Sequence, residues 1–436
     1  MADPPGGPPP DHRDLPAREV VGDWLLWGAL RLALVTIIAG GIPWPEQVND
    51  LQIYADWARG PLQSGTFPQD PLWQYPPLAG PVMLLGWWLP GERLGFVALF
   101  LAADGIVMAM LSAQARRTGM SGGIRLWALL PLVVGPLVLA RFDVVPTALA
   151  VAAVLLATRA AASGALAAAG AWVKVWPILV LSALARRDLP RGLLGALGAS
   201  AVIGTAFLLT TSDSLSFLGG QRDRGLQIES LAAWPFLVAR LAGAPVEVLY
   251  RYGAHEVQAP GVQAAAAIAT AVTVLLLGLV AVQRLRGRLE RARAADVALA
   301  TVLFSVVGSR VFSGQYFIWL LGLAAVCLGD PSTRMRRTTW LLVAAGIATQ
   351  LVYPWLYSAL LDGNPIAVLV QGIRVGLMVA ATLVAVLVLL RAGPPSAQAV
   401  AVDSPGTAPG SSGSPPSSIT RSRAADRSQP QDDSTH

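Results

Sequence analysis

Apolar residues run through this chain in long blocks, separated by short breaks that carry arginine, glycine or proline. The blocks fall at 23–41, 76–90, 93–112, 126–140, 144–158, 162–184, 193–210, 262–283, 296–309, 314–329, 338–358 and 366–391. Several are about 18–25 residues long, enough for a helix to cross hydrocarbon. They lack the polar–apolar alternation of a membrane β-barrel. The pattern predicts an all-α polytopic membrane protein, a bundle of about 10–13 transmembrane helices. Two longer stretches, 42–75 and 211–261, interrupt the blocks. Each holds Trp and Tyr, as expected of segments lying at the interface.

Both ends read differently. Residues 1–20 are rich in Pro, Gly and charge, and 393–436 in Pro, Ser, Gly and Gln. Such composition predicts disordered tails around one membrane domain, 21–392. The first apolar block reads as a retained helix, because so many others follow it. Only 13% of residues are charged, about half the share of a soluble protein. The +6 net charge sits in four clusters: Arg116/Arg117/Arg125, Arg186/Arg187/Arg191, Arg284/Arg286/Arg288/Arg291/Arg293 and Arg334/Arg336/Arg337. Each is a short loop between apolar blocks, so the charge reports a cytoplasmic side and a multi-pass cell-membrane protein rather than a nucleic-acid partner. Cys327 is the sole cysteine, so no internal disulfide exists. His12, His255 and His436 are scattered, and no zinc cluster or nucleotide-binding loop is present.

Counting crossings tests this layout. With 284–294 inside, 211–261 lies outside. Arg159 and Arg186 then both belong inside, although the block 162–184 separates them. Lys174 and Pro177 near its middle predict a broken or re-entrant helical pair, tolerated where it lines a cavity. The block 76–90 starts with Tyr75-Pro76-Pro77 and reads as interfacial or partial. On these terms 42–75, Arg141–Asp143, Lys174, 211–261 and Ser309–Gln315 gather on the outer side.

The candidate chemistry lies in those segments. Asp50 could serve as a general base toward a hydroxyl, with Asp56 as a second, orienting acid. Two solvated loop acids would look the same. If 49–58 is helical, Asp50, Tyr54 and Trp57 share a face by i, i+4, i+7 spacing, which suits a sugar and suits a plain interfacial helix equally. Arg141 and Asp143 flank Phe142 between apolar blocks. A charge near hydrocarbon costs about 2.5–3.5 kcal/mol on insertion scales, so this pair is either mutually neutralising or an incidental turn. Lys174, between Trp172 and Trp176, is a cation for a lipid phosphate or one that snorkels to the interface. Arg222 and Arg224 could hold a phosphate and Glu229 sugar hydroxyls; a solvated loop is the plainer reading. Arg310, Gln315, Tyr316 and Trp319 surround Gly314, which permits a tight break between helices.

Taken in order, Asp50-x-x-x-Tyr54, Tyr75-Pro76-Pro77, Arg141-x-Asp143, Lys174-x-x-Pro177 and Gln315-Tyr316-x-x-Trp319 resemble glycosyltransferase family 87 over roughly residues 20–390. The chain departs from the family at Gly314, where relatives often carry proline, and in holding Arg310 within that motif. The resemblance implies a GT-C-like fold and transfer from a polyprenyl-phosphate sugar, mannose or arabinofuranose, to a glycolipid or polysaccharide acceptor. It implies Asp50 as base and Lys174 as the lysine before the proline. The expected reaction is a direct, inverting displacement at the outer face, with Lys174, Arg222, Arg224 and Arg310 stabilising the phosphate leaving group. It calls for no cofactor or metal. A transporter or flippase of lipid-linked sugar is the alternative from another class, and a scaffold a third.

Overall fold

The computed structural model describes residues 17–40, 45–69, 72–211, 225–251 and 253–392. Both expected tails fall largely outside these residues, as do Arg222 and Arg224. The described chain is almost wholly helical, an all-α polytopic membrane protein with one small sheet. Its helices are α1 (Ala17–Ala39), α2 (Pro45–Trp57), α3 (Ala79–Trp88), α4 (Arg93–Thr118), α5 (Gly122–Ala128), α6 (Pro131–Val134), α7 (Leu137–Ala140), α8 (Val144–Leu155) and α9 (Ala160–Val173). They continue with α10 (Leu189–Thr210), α11 (Trp234–Leu241), α12 (Val262–Leu285), α13 (Ala294–Val307), α14 (Tyr316–Leu328), α15 (Arg336–Gln350), α16 (Tyr357–Leu361) and α17 (Pro365–Leu390).

Five of these, α1, α4, α10, α12 and α17, are long and apolar enough to cross a bilayer unaided. The other apolar blocks are shorter helices or broken ones. The block 126–140, expected as one span, is three pieces. Pro131 and Pro136 restart the helix and Gly135, at φ +59°, turns it. Helix ends follow ordinary chemistry elsewhere. Arg116 and Arg117 fill the last turn of α4, and Gly119 at φ +71° closes it. Asn364 caps α17 through Ile366 N at 2.9 Å, with Pro365 in the first turn.

Every residue of α14 from Phe317 to Leu328 is buried, so it runs through the core of the bundle. By contrast α10 and α12 expose Leu194, Leu197, Leu208 and Leu275, surfaces suited to lipid. Arg31 on α1 donates to both carboxylate oxygens of Asp104 on α4, each at 2.9 Å, and to the carbonyls of Trp127 and Ala128. Every charge of this buried clamp has a partner, as its depth requires.

The re-entrant expectation at 162–184 is met. Helix α9 stops at Lys174, whose backbone is extended (φ −157°, ψ 125°), and a 3-10 segment, Trp176–Ala183, turns back. Gly170 packs against Pro177, and Gly164 against the carbonyl of Gly192. The start of α9 and the start of α10 are therefore level, and Lys174 is the tip of the hairpin. Basic loops gather at its base. Arg186 donates to Leu285 O at 3.2 Å, Arg284 pairs with Glu290, and Arg293 pairs with Asp330.

The stretch 211–261 differs from expectation. Among the described residues, α11 is the one α-helix in it. The rest includes a three-stranded antiparallel sheet of order β1-β3-β2: β1 (Leu226–Gln227), β2 (Glu247–Arg251) and β3 (Ala254–Gln258). Gly253, at φ +74°, makes the β2–β3 turn. Val248 faces Val257, and Leu226 faces Val257 from the other side, so one apolar row holds the sheet together.

Candidate active site

A cavity of about 1130 Å³ opens around the Lys174 tip. Its walls come from α2, the 72–76 segment, the α7–α8 turn, the α9 break, the sheet, α12, the α13–α14 connection and the 353–361 region. It gathers Asp50, Tyr54, Tyr75, Arg141, Lys174, Glu229, Arg310, Gln315, Tyr316 and Trp319, which lie up to 269 positions apart in sequence.

Helix α2 gives Asp50, Tyr54 and Trp57 one common face, and all three line the cavity. The Tyr54 hydroxyl donates to Asp50 Oδ2 at 3.4 Å, and Arg141 Nη1 forms an ion pair with the same oxygen. Arg141 does not neutralise Asp143 in a closed pair. It reaches across to Asp50 and to Tyr353, while its buried Nε has no hydrogen-bond partner among the described residues.

Asp143 is buried behind the wall and organises it. Its Oδ1 accepts from Lys174 Nζ at 2.7 Å and from Trp319 Nε1 at 2.6 Å. The ammonium of Lys174 lies 5.0 Å from the Trp319 ring centre and 5.1 Å from Phe142, with Tyr75 and Tyr316 just beyond. Such a cage keeps a cation at its place without cancelling its charge. Trp319 stacks on Tyr316 at 4.0 Å and on Trp176 at 5.1 Å, and the buried Trp176 Nε1 has no hydrogen-bond partner among the described residues.

Glu229 sits between wall and scaffold. Its carboxylate accepts from Gln227 at 3.1 Å and from Arg374 of α17 at 3.4 Å, and its carbonyl accepts from Gln371 and Arg374. Burial pushes its carboxyl above the ordinary value of 4.5, while the Arg374 guanidinium pulls the other way. Gln227 in turn accepts from Phe312 N at 2.8 Å and donates its own N–H to Arg310 O, fastening the sheet to the Arg310 segment.

Asp56 falls elsewhere. It is on the other face of α2, exposed, bonded to Gln52 and paired with Arg59 at 2.9 Å, because six residues beyond Asp50 the helix has turned away from the cavity. Residues not foreseen also line the cavity: His255, Tyr250, Tyr353 and Tyr357. The spacing of Tyr353 and Tyr357, one helical turn apart in an aromatic-rich segment, was the available signal.

Fold and site together describe a polytopic membrane protein with a cavity lined by paired carboxylates, cations and aromatic rings. Residues 73–309, more than half of the chain, match the model of glycosyltransferase family 87, and the chain belongs to that family. Asp50, Arg310 and the 315–319 segment lie outside the matched residues. Comparison with curated proteins returned no match, nor did comparison with solved structures. Family membership makes the chain a membrane glycosyltransferase, with a sugar donor and an acceptor as its substrates.

Proposed function

We propose that this enzyme transfers a hexose, mannose in this reading, from a polyprenyl-phosphate sugar to an envelope glycolipid or polysaccharide on the outer face of the membrane. The observation that carries the proposal is the common cavity of Asp50 and Lys174, a carboxylate and a caged cation bridged by Arg141 and Asp143. In one displacement the acceptor oxygen bonds to the anomeric carbon as the bond from that carbon to the phosphate oxygen breaks. The acceptor proton passes to Asp50, and polyprenyl phosphate leaves with both bonding electrons. Attack opposite the leaving group inverts the centre.

Each residue then has a physical role. Arg141 and Tyr54 hold the Asp50 carboxylate in place, and that carboxylate receives the proton. Lys174 and Arg310 stabilise the charge growing on the phosphate, an effect worth most in a site that excludes water. Asp143 positions Lys174 and Trp319 and does not itself meet substrate. The scheme calls for no metal.

The test uses membranes carrying the Asp50→Asn protein, supplied in turn with polyprenyl phosphates bearing labelled mannose and arabinose. Product from the unaltered enzyme identifies the sugar. Loss of transfer in Asp50→Asn with normal membrane insertion is expected; turnover at the unaltered rate would sink the assignment.

A further inference from the structure

We propose that the side of the cavity formed by the β2–β3 hairpin and the 353–361 region is the acceptor subsite, where His255, Tyr353 and Tyr357 recognise the hydroxyls of a carbohydrate. The proposal rests on the transferase reading above and adds the side from which the acceptor approaches.

The cavity has two chemically different lobes. One surrounds Lys174, with the indoles of Trp176 and Trp319 and the Tyr75 ring. A caged ammonium suits a phosphate. The other is built from the β2–β3 hairpin and the 353–361 region. There His255 Nδ1 and the Tyr357 hydroxyl share a hydrogen bond at 3.1 Å. Tyr353 meets Tyr357 edge-on at 5.1 Å, and Tyr250 meets His255 at 5.1 Å. Tyr250 is two-thirds exposed (67%) and stands at the rim, while His255, Tyr353 and Tyr357 are half-buried. Rings that end in hydroxyl or imidazole groups pack on the C–H face of a sugar and bond its hydroxyls.

Arg141 ties the lobes together. It pairs with Asp50, hydrogen-bonds Tyr353, and feels the charges of Asp143 and Glu229. Asp50 is therefore held at the junction. A sugar lodged on the tyrosine side presents its hydroxyl to Asp50, and a phosphate lodged at Lys174 sets the anomeric carbon on the opposite side of that hydroxyl. This is the arrangement a displacement needs.

Binding can be measured without turnover, using the protein in lipid nanodiscs with two probes: octyl α-mannoside for the acceptor and farnesyl phosphate for the donor phosphate. Tyr357→Phe removes a hydroxyl and keeps the ring, and His255→Phe removes the ring nitrogens and keeps an aromatic ring. Tyr357→Phe and His255→Phe are each expected to weaken glycoside binding about fivefold and to leave farnesyl phosphate within about twofold. Unchanged glycoside affinity in both variants, equal weakening of farnesyl phosphate, or no glycoside binding by the unaltered protein would overturn the proposal. Asp50→Asn separates the two ideas: active Asp50→Asn protein refutes the base and leaves the glycoside result standing on its own.

Discussion

Replacing Lys174 with Met removes the cation from its ring cage and leaves the Asp143 carboxylate with Trp319 as its one side-chain partner. The pair is at 2.7 Å, with the Lys174 side chain 15% exposed and that of Asp143 1%. Breaking a pair this buried by removing one partner costs about 3–5 kcal/mol, because the other charge stays uncompensated. Asp143→Asn incurs a similar penalty from the other side. The double variant Asp143→Asn, Lys174→Met removes both charges and retains an amide oxygen for Trp319, so its loss of stability falls well short of the sum of the two. Catalysis behaves oppositely. If Lys174 stabilises the leaving phosphate, the double variant stays about 10²–10³-fold slower in transfer even though its stability returns. Apparent Tm in micelles and transfer of labelled sugar in membranes measure the two quantities. A double variant that transfers at the unaltered rate would reduce Lys174 to a structural cation, and one no more stable than the worse single variant would refute the ion-pair account.

Three other outcomes are expected. Asp56→Asn leaves transfer unchanged and shifts stability by no more than about 0–1 kcal/mol, since its pair with Arg59 is exposed; a lost activity would return Asp56 to the site. Glu229, with its carboxyl raised above 4.5, binds its proton more tightly folded than unfolded. Its contribution is complete below 4.5 and is lost as pH rises through the folded value, so Glu229→Gln flattens the fall in apparent Tm across that window. Gly164→Val, whose Cβ would collide with the Gly192 carbonyl where α9 crosses α10, lowers stability by about 1–3 kcal/mol, read as a drop in apparent Tm in micelles.

What the sequence made legible was mostly charge in improbable places. Lys174 ahead of Pro177 predicts a helix break because a lysine and a proline inside an apolar block both resist a continuous span, and the chain does turn back there. Asp50, Tyr54 and Trp57 share a face because helical spacing is local information. Where meaning depended on distant partners, sequence was mute. Arg141 looks like the mate of Asp143, two positions away, but pairs with Asp50 from another helix. Arg31, Asp104 and Arg374 sit inside apolar blocks, and only the fold shows which groups neutralise them. The hairpin had a signature, Glu247-Val248-Leu249-Tyr250 and Ala254-His255-Glu256-Val257 around Gly253. Its tyrosine was read as an interface marker instead.

The hold of Arg374 on Glu229 bears on the order in which this protein can be made. The two residues are 145 positions apart, and Arg374 belongs to the last described helix. During synthesis the segment that carries Glu229 is finished long before its guanidinium partner leaves the ribosome. Until α17 inserts, a wall of the cavity holds a carboxylate without its ion-pair partner. The enzyme therefore completes this wall only once α17 is made, and a chain cut between residues 310 and 373 has all of the family-matched residues and an incomplete cavity.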